Sequence, residues 1–248
     1  VKDDPKPILS HVEELRGRLL FTAFFVLVCA VVAWWQFDVI YKFLTGPVPS
    51  LGVPAINLHA VGMTEAFASQ MMISVIGGII GAFPIIIYNI CMFILPGLNK
   101  QEKKALFSYL PAMIILFLVG CAFAAYPIVP IARSFFLTFG QNQLTHIISI
   151  SSYLDFASLI VLGMGLVFLL PVVILLITSI GLVSPSTIGK SRKIVWIVIL
   201  IAAAAIAPND GLSMIAISLP VVILFEISLV IAKIKDKKRQ RIKEAQID

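Results

Sequence analysis

The sequence predicts an all-α, polytopic membrane protein with six transmembrane helices, and three observations carry that prediction. Hydrophobic residues make up 60% of the 248-residue chain and charged residues only 13%, against roughly 25% charged in an ordinary soluble domain. The apolar residues gather into six runs, most of them near the ~20 residues a helix needs to cross a hydrocarbon core of ~30 Å. The basic residues fall almost entirely in alternate connections between those runs. Together these exclude a soluble enzyme, a disordered chain and a nucleic-acid-binding protein. The net charge of +6 therefore reflects topology rather than a nucleic-acid partner.

The charge count sets the orientation. Lys2, Lys6, Arg16 and Arg18 precede the first run; Lys100, Lys103 and Lys104 lie in the second loop; Lys190, Arg192 and Lys193 lie in the fourth. Lys233, Lys235, Lys237, Lys238, Arg239, Arg241 and Lys243 form the tail, so 17 of the 19 Lys and Arg share one side with only Lys42 and Arg133 opposite. The positive-inside rule places both termini in the cytoplasm. The whole of 1–248 reads as one integral membrane domain, with a cytoplasmic helix over 1–18, a six-span bundle over 19–232 and a basic tail over 233–248. The tail is expected to be solvated, with anionic lipid as a second partner.

Taken in order, the spans are expected at Leu19–Phe37, Phe67–Leu95, Ala105–Val129, Phe156–Ile180, Ile194–Ala207 and Leu212–Ile231. The first is expected to be retained, since no small-residue cleavage site follows it. The first outer loop, from Asp38 to Glu65, carries Pro47, Pro49 and Pro54; the second runs from Tyr126-Pro127 and Pro130 to Ser151-Ser152. Both are long enough to form structured caps with short helices. Thr64-Glu65 and Ser152 are the expected N-cap positions of the second and fourth spans.

The second span, roughly 43 Å if straight, must tilt or kink at Pro84, as the fourth is expected to at Pro171. The fifth, at roughly 21 Å, and the sixth, interrupted by Glu226, are short. This pair is expected to thin the bilayer locally, the alternative being a partial-depth recess.

No residue set for catalysis lies within the spans. His11, His59 and His146 fall outside the apolar runs, no glycine-rich phosphate loop occurs, and Glu226 is the one acidic residue well within a run. Cys29, Cys91 and Cys121 sit in apolar runs and read as packing residues rather than disulfides or metal ligands. The chain is read as having no enzyme activity, cofactor or metal. Glu226 lies about 10 Å along a helix from Lys233, so pairing or snorkelling near the boundary is favoured over ion coupling.

That leaves the inner face. In the helical segment His11 to Leu19, His11, Glu14, Leu15 and Arg18 recur at i, i+3, i+4 and i+7 and share one face. Glu14 reads either as the i,i+4 partner of Arg18 or as a binding group. Glu102, within Asn99-Lys100-Gln101-Glu102-Lys103-Lys104, reads as a solvated loop charge or as a binding group.

With their neighbours, these residues resemble the signature of the TatC family, the multi-spanning component of the twin-arginine protein translocase. His11-Val12-Glu13-Glu14-Leu15-Arg16-Gly17-Arg18-Leu19 is similar to the family's His-Leu-x-Glu-Leu-Arg-x-Arg-Leu. Pro84 to Lys104, with Tyr88, Phe93, Pro96, Leu98 and Glu102, resembles its second span and first inner loop. Gly120, Phe123 and Pro130 fit its third span, and Tyr153-Leu154-Asp155-Phe156 its fourth. Gly181, Ser184-Pro185, Arg192, Pro208-Asn209-Asp210, Pro220 and Phe225-Glu226-Ile227 fit the remainder.

The resemblance implies a receptor in the cytoplasmic (inner) membrane that binds the paired arginines of signal peptides. It also implies an oligomeric complex with single-span partner subunits of the TatA/TatB type, exporting folded proteins with the proton-motive force. By position it implies arginine recognition by Glu14 and Glu102. Arg16 and Phe93 match functional positions, with membrane anchoring and interfacial packing as their structural alternatives. Pro47 is implied to shape the first outer cap, and Asp210 to cap the sixth helix. The sequence departs from the pattern where Leu169-Leu170, rather than an acidic or amide residue, precede Pro171. It departs again where Ala125 takes the place of a tyrosine and Tyr126 follows one step, ~100°, later. An ion-coupled secondary transporter and a non-selective scaffold remain the alternatives.

Overall fold

The computed structural model describes residues 6–97, 99–138, 147–180, 183–206 and 211–244, and every long element among them is a helix. Helix α1 (Lys6–Trp35) joins the polar inner segment to the first apolar run without a break. Pro7 falls in its first turn, where a missing N–H costs nothing. After Gln36 the chain turns into α2 (Phe37–Thr45), then a tight turn at Pro49–Leu51 closed by Gly52 at φ 66°. That positive φ is one that glycine adopts without steric cost.

Helix α3 (Glu65–Ile94) passes through Pro84 as a single helix and ends in a 3-10 turn, Leu95–Gly97, that contains Pro96. Helix α4 (Lys100–Phe123) leads into a π-helical turn at Ala124–Ile128 and then α5 (Val129–Thr138). The fourth pass is divided. Helix α6 (Ile150–Val167) stops, Phe168-Leu169 form a turn, and α7 (Leu170–Ile180) resumes with Pro171 in its first turn. Helix α8 (Pro185–Lys190) is capped by Ser184, and α9 (Arg192–Ile206) and α10 (Gly211–Glu244) follow.

Five helical stretches among the described residues are long and apolar enough to cross a membrane: 13–35, 65–97, 102–138, 150–179 and 217–234. Helix α9, with 15 residues rising about 22 Å, falls short of that length; it lies where the sequence predicts a short fifth span.

One expectation about the helix ends needs correction and a second is met in part. The N-cap of α6 is Ser149, not Ser152: the Ser149 hydroxyl accepts from the Ser152 backbone N–H, and the helix starts six residues before the apolar run. Thr64 does occupy the N-cap of α3 but makes no side-chain capping bond. Glu65 instead braces the turn that precedes the helix, accepting from the Val61 and Gly62 N–H groups. The basic tail is helical as far as Glu244, where α10 ends. Its Lys and Arg lie at the C-terminal end of a helix, where the dipole favours positive charge.

Close packing sets the positions of the passes. Helix α1 lies along α3 so tightly that a Cβ on Gly78 would sit 2.7 Å from the Ala30 nitrogen. Helices α4 and α6 cross through two reciprocal glycines, with Gly120 against Met164 and Phe168, and Gly165 against Phe117 and Cys121. Phe83 and Phe117 stack with ring centres 3.5 Å apart at that junction. Leu154, Ile160, Met164, Phe225 and Leu229 complete a fully buried core.

At the charge-poor end, the two outer loops are tied together. The His59 N–H donates to Ile148 O at 3.0 Å, and the Ile150 N–H donates to His59 O at 3.1 Å. Arg133, only 2% exposed, donates to the carbonyls of Leu44, Thr45, Gly46 and Pro54 at 2.9–3.1 Å. Tyr153 adds a bond to Leu44 O at 2.5 Å. The guanidinium thus gathers the acceptors left over at the end of α2 and fixes Pro47, which follows Gly46 and is exposed.

Candidate functional site

The candidate residues at the basic end are carried by α1, the end of α3 and the start of α4. The face of α1 that bears Glu14 continues through Leu15, Arg18, Leu19 and Thr22, which recur at helical spacing. Opposite it, α3 contributes Ile86, Asn89, Ile90, Phe93 and Ile94, and the two helices enclose an apolar groove of about 420 Å³. Phe93 forms part of its wall and is half-buried. The groove has one polar seam. Asn89 donates its amide N–H to the Thr22 hydroxyl at 2.8 Å, and that hydroxyl donates to the Arg18 carbonyl, also at 2.8 Å.

Glu14 lies one helical turn before Arg18, which lines this groove. The Arg18 Nε and Nη2 groups both donate to Glu14 Oε1, at 3.0 and 2.5 Å. The Arg18 side chain is 24% exposed and that of Glu14 38%, so the pair is reachable from water while its stem lies against apolar wall. Arg16, two residues from each, points about 160–200° away around the helix; it is exposed and does not line the groove.

Glu102 is not a loop charge. It is the third residue of α4 and forms a reciprocal capping box with Asn99. The Asn99 backbone N–H donates to Glu102 Oε2 at 2.8 Å, and the Asn99 side chain receives the N–H of Glu102. The Asn99-x-x-Glu102 spacing is the sequence signature of such a box, a signal that reading Glu102 as an isolated charge overlooks. The carboxylate also sits where the dipole of α4 favours negative charge. Helices α1 and α4 both pack on α3, which places Glu14, Phe93 and Glu102 at the same end of the bundle.

The other candidates lie apart. Glu226 on α10 meets Arg192 on α9, Oε2 to Nη2 at 3.4 Å, both side chains being partly exposed. Pairing, the favoured reading from the sequence, is what the structure contains. Pro84 and Pro171 lie within the second and fourth passes, and Pro96 in the turn after α3. Asp210 lies outside the described residues. No group of three or more His, Cys, Asp or Glu that could hold a metal ion occurs among the described residues.

Tyr126, one step out of the family register, falls inside the π-helical turn. Such a turn absorbs one extra residue and so re-aims the helix beyond it. The Tyr126 hydroxyl lies 2.8 Å from that of Ser50, linking the third pass to the first outer cap. Two further residues matter in ways that composition and charge counting do not reveal. Arg133 counts there only as one of two basic residues on the sparse side. Asn89 lies inside an apolar run, where a lone amide signals a hydrogen-bonded contact between helices.

A family model described as Sec-independent protein translocase protein (TatC) matches residues 10–220. The TatC protein of Carboxydothermus hydrogenoformans is 35% identical over 240 residues, covering 96% of this chain and 98% of that protein. The TatCy protein of Bacillus subtilis is 31% identical over 249 residues, covering 100% and 97%. The crystal structure of the twin-arginine translocase receptor TatC in the detergent DDM superposes with a TM-score of 0.77 at 28% identity, over 90% of this chain and 99% of that one.

Proposed function

This chain belongs to the TatC family of the Sec-independent protein translocase, and from that premise we propose that its basic end is the receptor surface for twin-arginine signal peptides. The chain is a multi-pass membrane protein of the twin-arginine translocation machinery, with a transport role rather than a catalytic one. In the proposed reading, Glu14 and Glu102 receive the two guanidinium groups. The apolar stretch of the signal then follows α1 and α3 past Phe93. Both termini and the basic loops face the cytoplasm, the membrane is the cytoplasmic one, and single-span subunits join the complex along the lipid-facing passes.

The observation that carries this reading is the geometry at Glu14. Its Oε1 already holds a guanidinium through two N–H donors, and the arginine that supplies them lines a groove with an apolar wall. A planar fork of donors is what arginine offers and lysine lacks. An apolar groove beside a carboxylate matches a ligand in which arginine precedes a hydrophobic stretch.

The test is binding of a twin-arginine signal peptide to the purified protein in detergent, beside its twin-lysine counterpart. The expected result is a preference for arginine that Glu14→Gln and Glu102→Gln each reduce by roughly tenfold, the scale of one charge-assisted bond partly exposed to water. Equal binding of both peptides to the unaltered protein removes the receptor reading.

A further inference from the structure

We infer that Arg18 is an internal ligand of Glu14, which an incoming arginine must displace, and that it sets an affinity threshold for the receptor site. The inference rests on the receptor reading above and goes beyond it. Arg18 engages Glu14 Oε1 with Nε and Nη2, the same fork an incoming arginine would present. An arginine approaching Glu14 therefore meets a carboxylate that already holds the chain's own guanidinium on Oε1.

The surroundings allow the exchange. The Arg18 backbone is held, since its carbonyl accepts from Thr22, which in turn accepts from Asn89 on α3. The side chain is held by its two bonds to Glu14 and is 24% exposed, so it can turn toward water once those bonds are exchanged. Arg18 lines the groove together with Leu19 and Phe93, so its displacement also changes the wall against which an apolar segment would lie. Competition of this kind lowers the affinity of every ligand that uses Glu14 by the same factor. It leaves untouched any ligand that binds without Glu14. Weak ligands of the carboxylate thus fall below the level of non-specific binding, and strong ones survive.

The test uses the full-length protein in detergent and two labelled peptides, a twin-arginine signal and the same peptide with glutamine at both positions, read by fluorescence anisotropy. Glu14 and Arg18 are varied as Arg18→Gln, Arg18→Lys, Glu14→Gln and the double variant. Arg18→Gln is expected to tighten the arginine peptide by roughly two- to fivefold, the scale of a part-exposed i,i+4 ion pair. It should leave the glutamine peptide unmoved. Arg18→Lys should give a smaller gain in the same direction, and it carries the test if the glutamine variant does not fold. In the Glu14→Gln background the gain should vanish, a result that a general loosening of α1 would not produce.

Unchanged or weaker arginine binding in Arg18→Gln and Arg18→Lys overturns the inference, as does an equal gain for both peptides. If the unaltered protein does not distinguish arginine from glutamine, the receptor reading itself has failed. If it does distinguish them and Glu14→Gln reduces the difference, the receptor stands whatever Arg18 does.

Discussion

Glu102 carries two roles that a single substitution can separate. As N3 of α4 it accepts the Asn99 N–H, and as an anion it is proposed to meet an arginine. Glutamine retains the acceptor and fits a capping box, whereas alanine removes it. Glu102→Ala is expected to lower stability by ~0.5–2 kcal/mol, the range of a lost cap, measured by thermal unfolding in detergent. Glu102→Gln should unfold within a degree or two of the unaltered protein while losing peptide affinity. At the opposite end, Arg133 donates to four carbonyls with almost no exposure. Methionine there preserves much of the volume and strands the Gly46 and Pro54 carbonyls, while Leu44 O keeps the Tyr153 hydroxyl and Thr45 O the Ile56 N–H. The cost is ~1–3 kcal/mol for each stranded acceptor that water does not reach. The expected outcome is fast amide exchange across residues 44–56 in Arg133→Met, with Arg133→Lys intermediate because a point charge cannot span four acceptors.

Elements are legible in the sequence where composition alone decides them and obscure where geometry does. The apolar runs locate the long helices, because no other structure satisfies the backbone in hydrocarbon, although α6 starts six residues before its run and α10 continues 13 residues beyond its own. Their ends are harder to read, since an end is set by a cap. Ser149 outcompetes Ser152 because His59 pairs with Ile148 and Ile150 and delivers the chain to the helix one turn earlier. The π-helical turn around Tyr126 leaves its trace as a one-residue shift in register, legible only once the helix is known to widen there. Helix contacts are legible least of all, because α3 carries Gly77, Gly78 and Gly81 and the sequence ranks none above the others. A Cβ on Gly78 would meet the Ala30 backbone at 2.7–2.8 Å, whereas one on Gly81 would meet Cys29 at an ordinary 3.6–3.7 Å. Gly78→Ala should therefore force α1 from α3 and cost ~1–3 kcal/mol. Gly81→Ala should be neutral or stabilising by up to ~1 kcal/mol, since alanine favours the helix. Thermal unfolding of the two variants side by side decides it; equal destabilisation would mean that α1 and α3 are not in contact along Gly78.

At the scale of the whole molecule, charge and packing point the same way although they rest on different residues. The basic end carries the carboxylates, the groove and the start of α4, all built from side chains that can turn or exchange. The charge-poor end carries Arg133, the paired outer loops and the Ser50–Tyr126 contact, which lock. A receptor that must admit a ligand from one side while remaining sealed on the other is served by that division, provided the basic end faces the cytoplasm. The charge asymmetry of 17 Lys and Arg against 2 predicts this orientation, and impermeant thiol labelling tests it. Cys29, Cys91 and Cys121 are replaced by alanine, and single cysteines are introduced at Ala55, Lys104 and Lys193, all exposed. In intact cells with an opened outer barrier, Ala55→Cys should react with a charged maleimide, and the other two should react only after the membrane is permeabilised. The reverse pattern would put Glu14 and Glu102 on the wrong side for any precursor made in the cytoplasm. The receptor surface would then have to be sought among the paired loops around Arg133.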